Sequence, residues 1–343
     1  MKPQSQKQAL LGIVGRFSNT TVTLLGDMVA DEFVFGEISR VSREAPVLIL
    51  KHRERSVVPG GGANAAYNLA ALGVRVLPVG WIGDDEQGRL LLARFREKRI
   101  PTTGILKLKN LRTVTKTRIL AGMTHTSRQQ VVRIDSEPAT EIGSSARRQL
   151  VALARQSLRR SDAMLVSDYG YGSASPELLA QVRGSRSFNG LPVTLDSRYR
   201  MLHFSGVTAA TPNEPEVEEA LRIQIGHDDS QLLAAGQRLL RRMNLDSLVI
   251  TRGRDGMVVF SRKSKPVRIP IHGSDQVADV TGAGDTVIAT FTAALATGAN
   301  AESAARLANY AGGIVVMKRG TATVSRQELL AAIESDKDVG SRS

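Results

Sequence analysis

The sequence has no cysteine among its 343 residues, which excludes disulfide bonds and thiolate metal sites. Aromatic residues make up only 4%, so a hydrophobic core must be built mainly from valine, leucine, isoleucine and alanine. No run approaches the roughly 20 apolar residues that a membrane-spanning helix needs. The apolar stretch at residues 9–14 is too short for a secretory signal. We therefore expect a cytoplasmic protein that needs no membrane.

Acidic residues are in the minority, since 33 aspartates and glutamates face 46 lysines and arginines, which gives a net charge of +13. Such an excess can serve nucleic-acid binding or anionic small substrates. The basic residues are scattered in short groups, such as Arg147 with Arg148 and Arg241 with Arg242, which is typical of solvated helix faces. We therefore expect small partners such as nucleotides and sugar phosphates, and we do not expect nucleic acid.

Short β-branched runs alternate with helical patterns along the chain, which is the signature of a parallel sheet with crossover helices. The predicted strands lie at residues 21–25, 75–82, 163–166, 193–195, 207–210, 247–250 and 257–260. The predicted helices lie at residues 64–72, 87–98, 145–159, 231–243, 286–297 and 301–318. The sequence therefore predicts an α/β fold in one domain, residues 20–330, with terminal extensions at residues 1–19 and 334–343.

Two segments, residues 33–57 and 113–134, break this rhythm because they alternate in a β fashion without an intervening helix. They predict a small separate sheet that stands over the main one. A lid that closes over a binding crevice is one interpretation, and a pair of ordinary edge hairpins is the other. We expect the lid.

A polar residue or a glycine follows each of six predicted strands: Asp27, Asp84, Asp168, Asp196, Asn213 and Gly253. In open α/β sheets, ligands bind outside the carboxyl ends of the strands. One such residue alone is weak support, because loops commonly begin with polar residues. Six together predict one active edge.

The strongest local pattern is Asp279-Val280-Thr281-Gly282-Ala283-Gly284-Asp285, which leads directly into a predicted helix. Gly282 and Gly284 let the backbone turn sharply and point its N–H groups at an anion, and the helix N-terminus adds positive potential. Asp285 would then accept the proton of an attacking hydroxyl while a phosphoryl group rests on the turn. We expect the helix end to lower the pKa of Asp285. The alternative is a plain helix cap after a glycine turn.

Two further patterns precede predicted helices. Three glycines, Gly60 to Gly62, allow a ligand to approach the backbone, and Asn64 can both donate to and accept from a sugar hydroxyl. Asn213 and Glu216 lie three residues apart and offer oxygen ligands that suit Mg²⁺, usually through water. The alternatives are a flexible loop with an asparagine cap and, at the second site, an asparagine cap with an acidic first turn.

Several charged residues outside these patterns are candidates for binding a sugar phosphate. Asp27, at the end of the first predicted strand, is a candidate to hold a pair of sugar hydroxyls. Arg40, Arg43 and Arg133 lie in or beside the predicted lid and are suited to grip a phosphate already present on the substrate. Solvent-facing lid charges are the alternative for these arginines. The five histidines show no spacing typical of a metal site.

Residues 60–64, 211–216 and 279–285 occur in the order and approximate spacing of the PfkB/ribokinase-like carbohydrate kinases, and the chain resembles that family from about residue 21 to residue 330. The resemblance implies a ribokinase-like three-layer sandwich with a mostly parallel central sheet and a small β-sheet lid. It also implies ATP and Mg²⁺ as cofactors and a homodimer formed through the lid.

Longer strings resemble a narrower group, the bacterial D-glycero-D-manno-heptose 7-phosphate kinases. They lie at residues 40–47, 167–170, 279–289 and 318–325. The implied reaction transfers phosphate from ATP to C1 of the heptose 7-phosphate, and the 1,7-bisphosphate feeds nucleotide-activated heptose for lipopolysaccharide. Bifunctional members continue into a nucleotidyltransferase domain, and because this chain ends at Ser343 we expect a separate enzyme for that step.

The same resemblance implies a role for each motif residue. Asp285 is the catalytic base, and Gly282, Ala283 and Gly284 form the anion hole. The residues implied to face the sugar are Asp27, Gly61, Gly62, Asn64 and Asp168, and we add Arg133 from its place in the lid. The residues implied to border ATP are Asn213, Glu214, Pro215, Glu216, Thr251, Gly253, Ala308 and Asn309, with Glu216 holding Mg²⁺ through water.

Two positions depart from the family pattern. Tyr171 stands where the family usually shows a lysine, which removes a cation from the predicted sugar-phosphate site. Arg198 ends the string Asp196-Ser197-Arg198, which replaces the more usual Asp-Pro-Lys and keeps the charge. These departures bear on the identity of the sugar more than on kinase activity, so a kinase of another sugar or nucleoside stays open. A non-catalytic sugar- or nucleotide-binding regulatory protein is the alternative from another class.

Overall fold

The computed structural model of the protein describes residues 3–122, 128–184, 188, 190–226, 228–262, 264–273, 278–318 and 320–336. Parts of some predicted segments lie outside the described residues: 1–2 and 337–343 of the termini, 123–127 of the lid, and Arg319 of the string at 318–325. His125 and His227 lie outside them as well.

The described residues form thirteen strands and ten α-helices. The strands are β1 (Thr21–Gly26), β2 (Met28–Val41), β3 (Leu48–Gly61), β4 (Arg75–Gly83), β5 (Ile105–Leu108), β6 (Thr115–Gly122), β7 (Gln129–Ser136), β8 (Ala163–Asp168), β9 (Val193–Ser197), β10 (Ala209–Ala210), β11 (Ser247–Thr251), β12 (Met257–Ser261) and β13 (Ser264–Ile269). The helices are α1 (Pro3–Gly15), α2 (Gly62–Ala71), α3 (Glu86–Glu97), α4 (Ser144–Leu158), α5 (Pro176–Arg183), α6 (Glu214–Leu221), α7 (Asp229–Arg242), α8 (Ala283–Ala296), α9 (Ala301–Val315) and α10 (Arg326–Ser335).

Nine strands pair into one sheet within the described part of the chain, in the order β13-β12-β11-β10-β9-β8-β1-β4-β5. Every pairing from β5 to β11 is parallel, and β12 and β13 add an antiparallel edge. Parallel strands are buried on both faces, so in β1 Val22 and Leu24 enter one core while Leu25 enters the other. The predicted, mostly parallel sheet is confirmed.

Helices cover both faces of this sheet. Buried side chains of α1, α2, α3, α8, α9 and α10 pack in one core, and those of α4, α5, α6 and α7 pack in the other. The helix α8 is buried on all sides over residues 285–294, and its Thr290 and Thr292 satisfy their hydroxyls by donating to carbonyls one turn earlier. The sheet and the helices on its two faces thus form the predicted three-layer sandwich.

The remaining four strands form a second sheet in the order β3-β2-β6-β7, which we call the lid sheet. In it β2 pairs antiparallel with β3 and parallel with β6, and β6 pairs antiparallel with β7. The strands β2 and β3 run from buried ends at Met28 and Gly61 to exposed ends at Val41 and Leu48. The predicted small sheet is thus confirmed, and its root lies where β1 ends and α2 begins. That it closes over a ligand stays a prediction.

The predicted helices and main-sheet strands are confirmed with ends displaced by up to three residues, and the predicted lid segment at residues 33–57 extends to residues 28–61. The sequence patterns do not predict α1, α5, α10, β5 or β13. The helix α1 lies in the predicted N-terminal extension, yet its Leu10 and Val14 are buried in the core beside α10. The limits of the domain stay a prediction. No helix in the described ranges is both long and apolar enough to cross a lipid bilayer.

Candidate active site

The carboxyl ends of the parallel strands border a cleft of about 490 Å³. Of the residues that the sequence predicts for the site, those that line it are Asp168, Asn213, Pro215, Glu216, Thr251, Gly282, Gly284 and Asp285. Asp196 and Arg198 line it as well, whereas Asp84 and Gly253 follow strands at the same edge without lining it. The cleft thus joins the glycine turn before α8 with the start of α6.

The glycine turn before α8 presents backbone amides to this cleft. Gly282 caps the helix at φ 77°, a left-handed conformation that glycine adopts without strain. The N–H of Ala283 donates to the carbonyl of Val280 at 3.2 Å, whereas the amides of Gly282, Gly284 and Asp285 have no partner among the described residues. Three unbonded donors at a helix N-terminus can hold an anion. The amide of Ala283 is already bonded, so in this arrangement Ala283 does not contribute to the predicted anion hole.

Asp279 fixes the shape of this turn. Its carboxylate accepts hydrogen bonds from the backbone N–H groups of Thr281 at 2.9 Å and Gly320 at 3.1 Å. Although partial burial acts to raise it, the pKa of Asp279 is lowered, because these donors favour the ionised carboxylate. Asp279 therefore stays charged and supports the turn from behind.

Asp285 lies in the first turn of α8 and is only 4% exposed. Its Oδ2 accepts a hydrogen bond of 2.8 Å from the side-chain amide of Asn64, and its Oδ1 accepts one of 2.9 Å from the hydroxyl of Tyr169. Burial raises the pKa of Asp285 to about 7, and the two donors oppose this rise only in part. The expectation that the helix end lowers this pKa is wrong, because the loss of hydration outweighs the positive helix end. With this pKa, Asp285 is a stronger base near neutral pH than an ordinary aspartate.

Tyr169, which the sequence analysis misses, connects Asp285 to the lid sheet. Its ring lies against Gly61, where an added Cβ atom would come within 3.3 Å of two ring atoms. In the lid sheet, the ammonium of Lys116 in β6 lies 5.4 Å from the centroid of the same ring. The signal available in the sequence was its place directly after β8, at the predicted active edge.

The glycines and the asparagine at the start of α2 shape the contact with Asp285. Gly61 adopts φ 52°, and a Cβ atom on Gly62 would lie 3.0 Å from the carbonyl oxygen of Asp27. Asn64 donates to Asp285, and its own Oδ1 accepts from Asn68 at 3.2 Å. These residues adjoin the cleft through Asp285 and do not line it themselves.

Asp31 in β2 is a second candidate that the sequence analysis misses. It is buried and forms an ion pair of 2.5 Å with Arg118 of β6. Burial is the main cause of the raised pKa of Asp285, and the charge of Asp31 adds to it. A Cβ atom on Gly60 would lie 2.7 Å from Oδ2 of Asp31, which accounts for the glycine there. The available signal was the pair Asp31-Glu32 directly after the apolar residues 28–30 of β2, since charges are seldom buried without a partner.

Asp27 holds a loop and does not face the cleft. Its Oδ2 accepts from the backbone N–H groups of Tyr169 and Tyr171, and its Oδ1 accepts from that of Ser173, at 2.8–2.9 Å. Burial raises the pKa of Asp27, and these backbone donors offset part of the rise. Asp27 already accepts from three donors and is only 1% exposed, so it does not reach a sugar in the cleft as the sequence predicts.

Asp168 lines the cleft but is bonded on both oxygens. It forms an ion pair with Arg200, and it accepts hydrogen bonds from the hydroxyl of Ser197 at 2.7 Å and from the N–H of Gly170 at 3.1 Å. Since it is almost completely buried, it anchors the loop after β8, and the predicted contact with sugar has no free oxygen in this arrangement.

At the start of α6, Asn213 and Glu216 form a capping box. The side chain of Asn213 accepts from the N–H of Glu216, and the carboxylate of Glu216 accepts from the N–H of Asn213, both at 2.9 Å. This cap is the alternative that the sequence leaves open for both residues, although both still line the cleft.

Asp196 adds a second carboxylate beside this cap. Burial, and then the charge of Glu216, raise the pKa of Asp196 well above its usual range. Two carboxylates at the mouth of a cleft suit a hydrated Mg²⁺ ion that arrives with a nucleotide, because this ion keeps several waters and takes one or two carboxylates. No group of three or more histidine, aspartate or glutamate side chains forms a ready-made metal site in the described ranges.

Three predicted nucleotide contacts have other surroundings. Glu214 forms an ion pair of 2.9 Å with Arg252. Asn309 is nearly buried and donates to the carbonyl of Pro270 at 2.8 Å. Ala308 is completely buried in the core, and its predicted contact with a nucleotide is corrected because no part of it reaches the surface.

The cations around the cleft differ from the predicted ones. Arg133 forms a two-point ion pair with Asp135, at 2.8 and 2.6 Å, and the hydroxyl of Tyr171 donates to Glu137 at 2.7 Å. Lys116 has no ion pair with any described residue, and its pKa is lowered by burial and by the nearby charge of Arg198. Among the cations around the cleft, Lys116 and Arg198 are therefore the two that form no ion pair with a described residue.

Residues 23–328 match the family model described as pfkB family carbohydrate kinase. The bifunctional protein HldE of Geobacter sulfurreducens is 41% identical over 311 residues, which cover 90% of this chain and 62% of that protein. The bifunctional protein HldE of Caulobacter sp. strain K31 is 40% identical over 316 residues, which cover 92% of this chain and 63% of that protein. The chain thus spans less than two thirds of the length of these curated relatives.

Two solved structures show the same fold. Ribokinase of Arabidopsis thaliana, complexed with ribose and ATP, superposes with a TM-score of 0.72 at 19% identity and covers 92% of this chain and 99% of its own. Phosphofructokinase-2 of Escherichia coli, in complex with substrates and products, gives a TM-score of 0.73 at 18% identity, covering 92% and 98%. At such identities the likeness establishes the fold alone.

Proposed function

The chain belongs to the pfkB family of carbohydrate kinases, and on that basis we propose that it transfers the γ-phosphoryl group of ATP to the C1 hydroxyl of D-glycero-D-manno-heptose 7-phosphate, with Asp285 as the base. The observation that carries the proposal is the position of Asp285 beside the unbonded amides of Gly282 and Gly284. A carboxylate and an anion-binding turn at one helix end are the two parts that phosphoryl transfer to a hydroxyl requires.

In the proposed reaction, Asp285 accepts the proton of the acceptor hydroxyl as the hydroxyl oxygen attacks the γ-phosphorus. The bond from that phosphorus to the bridging oxygen breaks, and ADP leaves with the bonding electrons. The unbonded amides of the glycine turn donate to the oxygens of the transferring group, on which charge is spread in a loose transition state.

The acceptor is proposed to bind between Asp285 and the root of the lid sheet. In this proposal Asp31 borders the space: Arg118 donates to its Oδ1, and its Oδ2 would accept from a sugar hydroxyl. Lys116 supplies a cation without an ion pair on the same side, which suits a sugar that already carries a phosphate. The relatives named HldE, together with the strings at residues 40–47 and 167–170, support heptose 7-phosphate as that sugar.

ATP is proposed to bind on the other side of the cleft, along Asn213, Pro215 and Thr251. Arg198 would neutralise its phosphates, and Asp196 with Glu216 would hold Mg²⁺ through water. When bound, the ion supplies positive charge that stabilises the phosphate oxygens during transfer. Consumption of ATP favours the cytoplasm as the place of the reaction, and a nucleotidyltransferase, on this or another polypeptide, would act on a later intermediate.

An ADP-release assay with a panel of acceptors tests the substrate. We expect heptose 7-phosphate to turn over with the highest kcat/KM among heptose 7-phosphate, fructose 6-phosphate, ribose and adenosine, and phosphorus NMR to show a new phosphate on C1. Turnover of an unphosphorylated sugar with heptose 7-phosphate inert would retain the kinase and overturn the substrate. Binding of ATP and sugar without any ADP release would support the non-catalytic alternative.

A homodimer through the lid sheet is part of the proposal. The outer part of this sheet and the turn between β2 and β3 expose large apolar side chains, which is unusual for a monomer surface. They are Val41, Val47, Leu48, Val131, Val132 and Ile134, each 42–58% exposed. We expect sedimentation to give a dimer for the wild type and a monomer for Ile134→Lys. A wild type that sediments as a monomer would overturn this part without touching the chemistry.

A further inference from the structure

We propose that Tyr169 is a positioning residue of the transfer reaction, whose hydroxyl fixes the carboxylate of Asp285 in the direction of the acceptor hydroxyl. The inference rests on the proposed function and deepens it. Tyr169 itself does not touch the reacting atoms in this account, because it acts through Asp285.

Two hydrogen bonds fix the orientation of the Asp285 carboxylate. Tyr169 donates to Oδ1 of Asp285 at 2.9 Å, and Asn64 donates to Oδ2 at 2.8 Å. Rotation of an aspartate carboxylate about its last bond is broad when nothing holds it. Donors on two different oxygens remove that freedom, so the remaining lone pairs of the carboxylate keep one direction. Asp285 is also one of the residues that line the cleft.

Tyr169 is itself held in place by contacts with three segments of the chain. Its backbone N–H donates to Asp27 at 2.9 Å, which fixes the loop after β8. Its ring lies against Gly61, where any Cβ atom would come within 3.3 Å of the ring. Lys116 of the lid sheet places its ammonium 5.4 Å from the ring centroid. The hydroxyl is therefore held by three elements that the sequence separates widely.

The hydrogen bond from Tyr169 also affects the protonation of Asp285. A hydroxyl that donates to a carboxylate favours its ionised form, which is the form that accepts a proton from the acceptor. Nearby charges act on the pKa of Asp285 as well, since the charge of Asp31 opposes ionisation and that of Lys116 favours it. Burial, and then the charge of Asp285, raise the pKa of Tyr169 well above its usual range, so its hydroxyl keeps its proton and remains a donor.

Tyr169→Phe tests the inference, because it keeps the ring and removes only the hydroxyl. Tyr67→Phe is the matched control, since Tyr67 is also half-buried beneath a cation, with Lys98 at 5.6 Å from its ring centroid, and lies away from the cleft. We expect Tyr169→Phe to lower kcat about 10-fold with the KM for ATP unchanged, and to move the acid limb of the kcat profile up by about one pH unit. Tyr67→Phe should change neither.

A titration that needs no turnover separates this inference from the proposed function. Carbon-13 NMR of protein labelled at the aspartate carboxyls follows the midpoint of Asp285, which is assigned by the signal missing in Asp285→Asn. The inference predicts a higher midpoint in Tyr169→Phe than in the wild type, whichever sugar is the substrate. A midpoint that is the same in both proteins would overturn it, and so would a kcat profile that keeps its acid limb.

Discussion

The side-chain amide of Asn64 donates a hydrogen bond of 2.8 Å to Oδ2 of Asp285, although 221 residues separate the two in the sequence. A second contact joins the same helices one turn further along, where the hydroxyl of Thr286 donates to Asn68 at 2.9 Å. The N-terminal ends of α2 and α8 are thus fixed side by side. This pairing brings the triple glycine and the glycine turn to the same carboxylate.

The rate of the proposed reaction should depend on pH through Asp285. Because burial raises its pKa to about 7, the carboxylate is protonated and inactive as a base below that value. We expect kcat/KM to fall about 10-fold for each unit below about pH 6 and to level off above about pH 8. A profile measured from pH 5 to pH 9 at constant ionic strength checks this. A rate that stays level down to pH 5 would show that Asp285 has an ordinary pKa.

The stability of the fold should carry the same titration with a defined sign. The pKa of Asp285 is higher in the folded chain than its ordinary value of 3.8, so folding favours the protonated form. Its contribution to stability is complete below about pH 3.8 and is lost as the pH rises through about 7.

We therefore expect the wild type to lose roughly 1–4 kcal/mol relative to Asp285→Asn between pH 5 and pH 8. The comparison of pH dependence matters here, since asparagine also changes the hydrogen bonds to Tyr169 and Asn64. Urea denaturation of both proteins at the two pH values measures it. Parallel curves for the two proteins would contradict a buried, neutral carboxyl group at position 285.

Gly282→Ala should damage the site more than the fold. Both Gly282 at φ 77° and Gly298 at φ 82° adopt left-handed backbone, so alanine costs about 1–2 kcal/mol at either position. Only at Gly282 does the new Cβ atom collide, at 2.6 Å, with the amide nitrogen of Asn64 that holds Asp285. Gly298 has nothing within 4 Å and serves as the control. We expect both variants to lose stability in urea, Gly282→Ala at least as much as Gly298→Ala, with a loss of kcat of at least about 10-fold confined to Gly282→Ala. Equal kcat values for both variants would argue against the role of Asn64.

Arg118→Met should impair the acceptor side. This substitution leaves the carboxylate of Asp31 buried and unpaired, which costs about 3–5 kcal/mol in typical buried pairs. We expect the KM for the sugar phosphate to rise at least about 10-fold with the KM for ATP nearly unchanged. Arg53→Met is the control on the same sheet, because its ion pair with Glu37 is largely exposed and is worth at most about 1 kcal/mol. Equal effects of the two variants on both KM values would remove Asp31 from the acceptor site.

The fold was open to prediction because its signals are local. The strands β1, β4, β8, β9, β11 and β12 are short β-branched runs, and α2, α3, α4, α7, α8 and α9 show an apolar face or a capping pattern. The end of α8 follows from Gly298, whose left-handed backbone and N–H bond to Leu295 close the last turn. Each of these signals spans fewer than about 20 residues.

The site was predictable only as far as single motifs reach. The glycine turn identifies Asp285, but the pKa of that residue depends on burial by distant segments, which reverses the direction expected from the helix end alone. Asp27 follows a strand as a ligand residue would, yet the loop at residues 169–173 occupies both of its oxygens. Asp31 lies within β2 and Tyr169 directly after β8, and both gain their place from packing between the two sheets.

The turnover of Asp285→Asn tests the central claim most directly. The ADP-release assay with the best acceptor gives the rate, and calorimetry gives the affinities for ATP and for that acceptor. The account predicts that kcat falls at least about 100-fold, the lower range for loss of a general base, while both affinities stay within a few-fold of the wild type. A variant that turns over at the wild-type rate would contradict it.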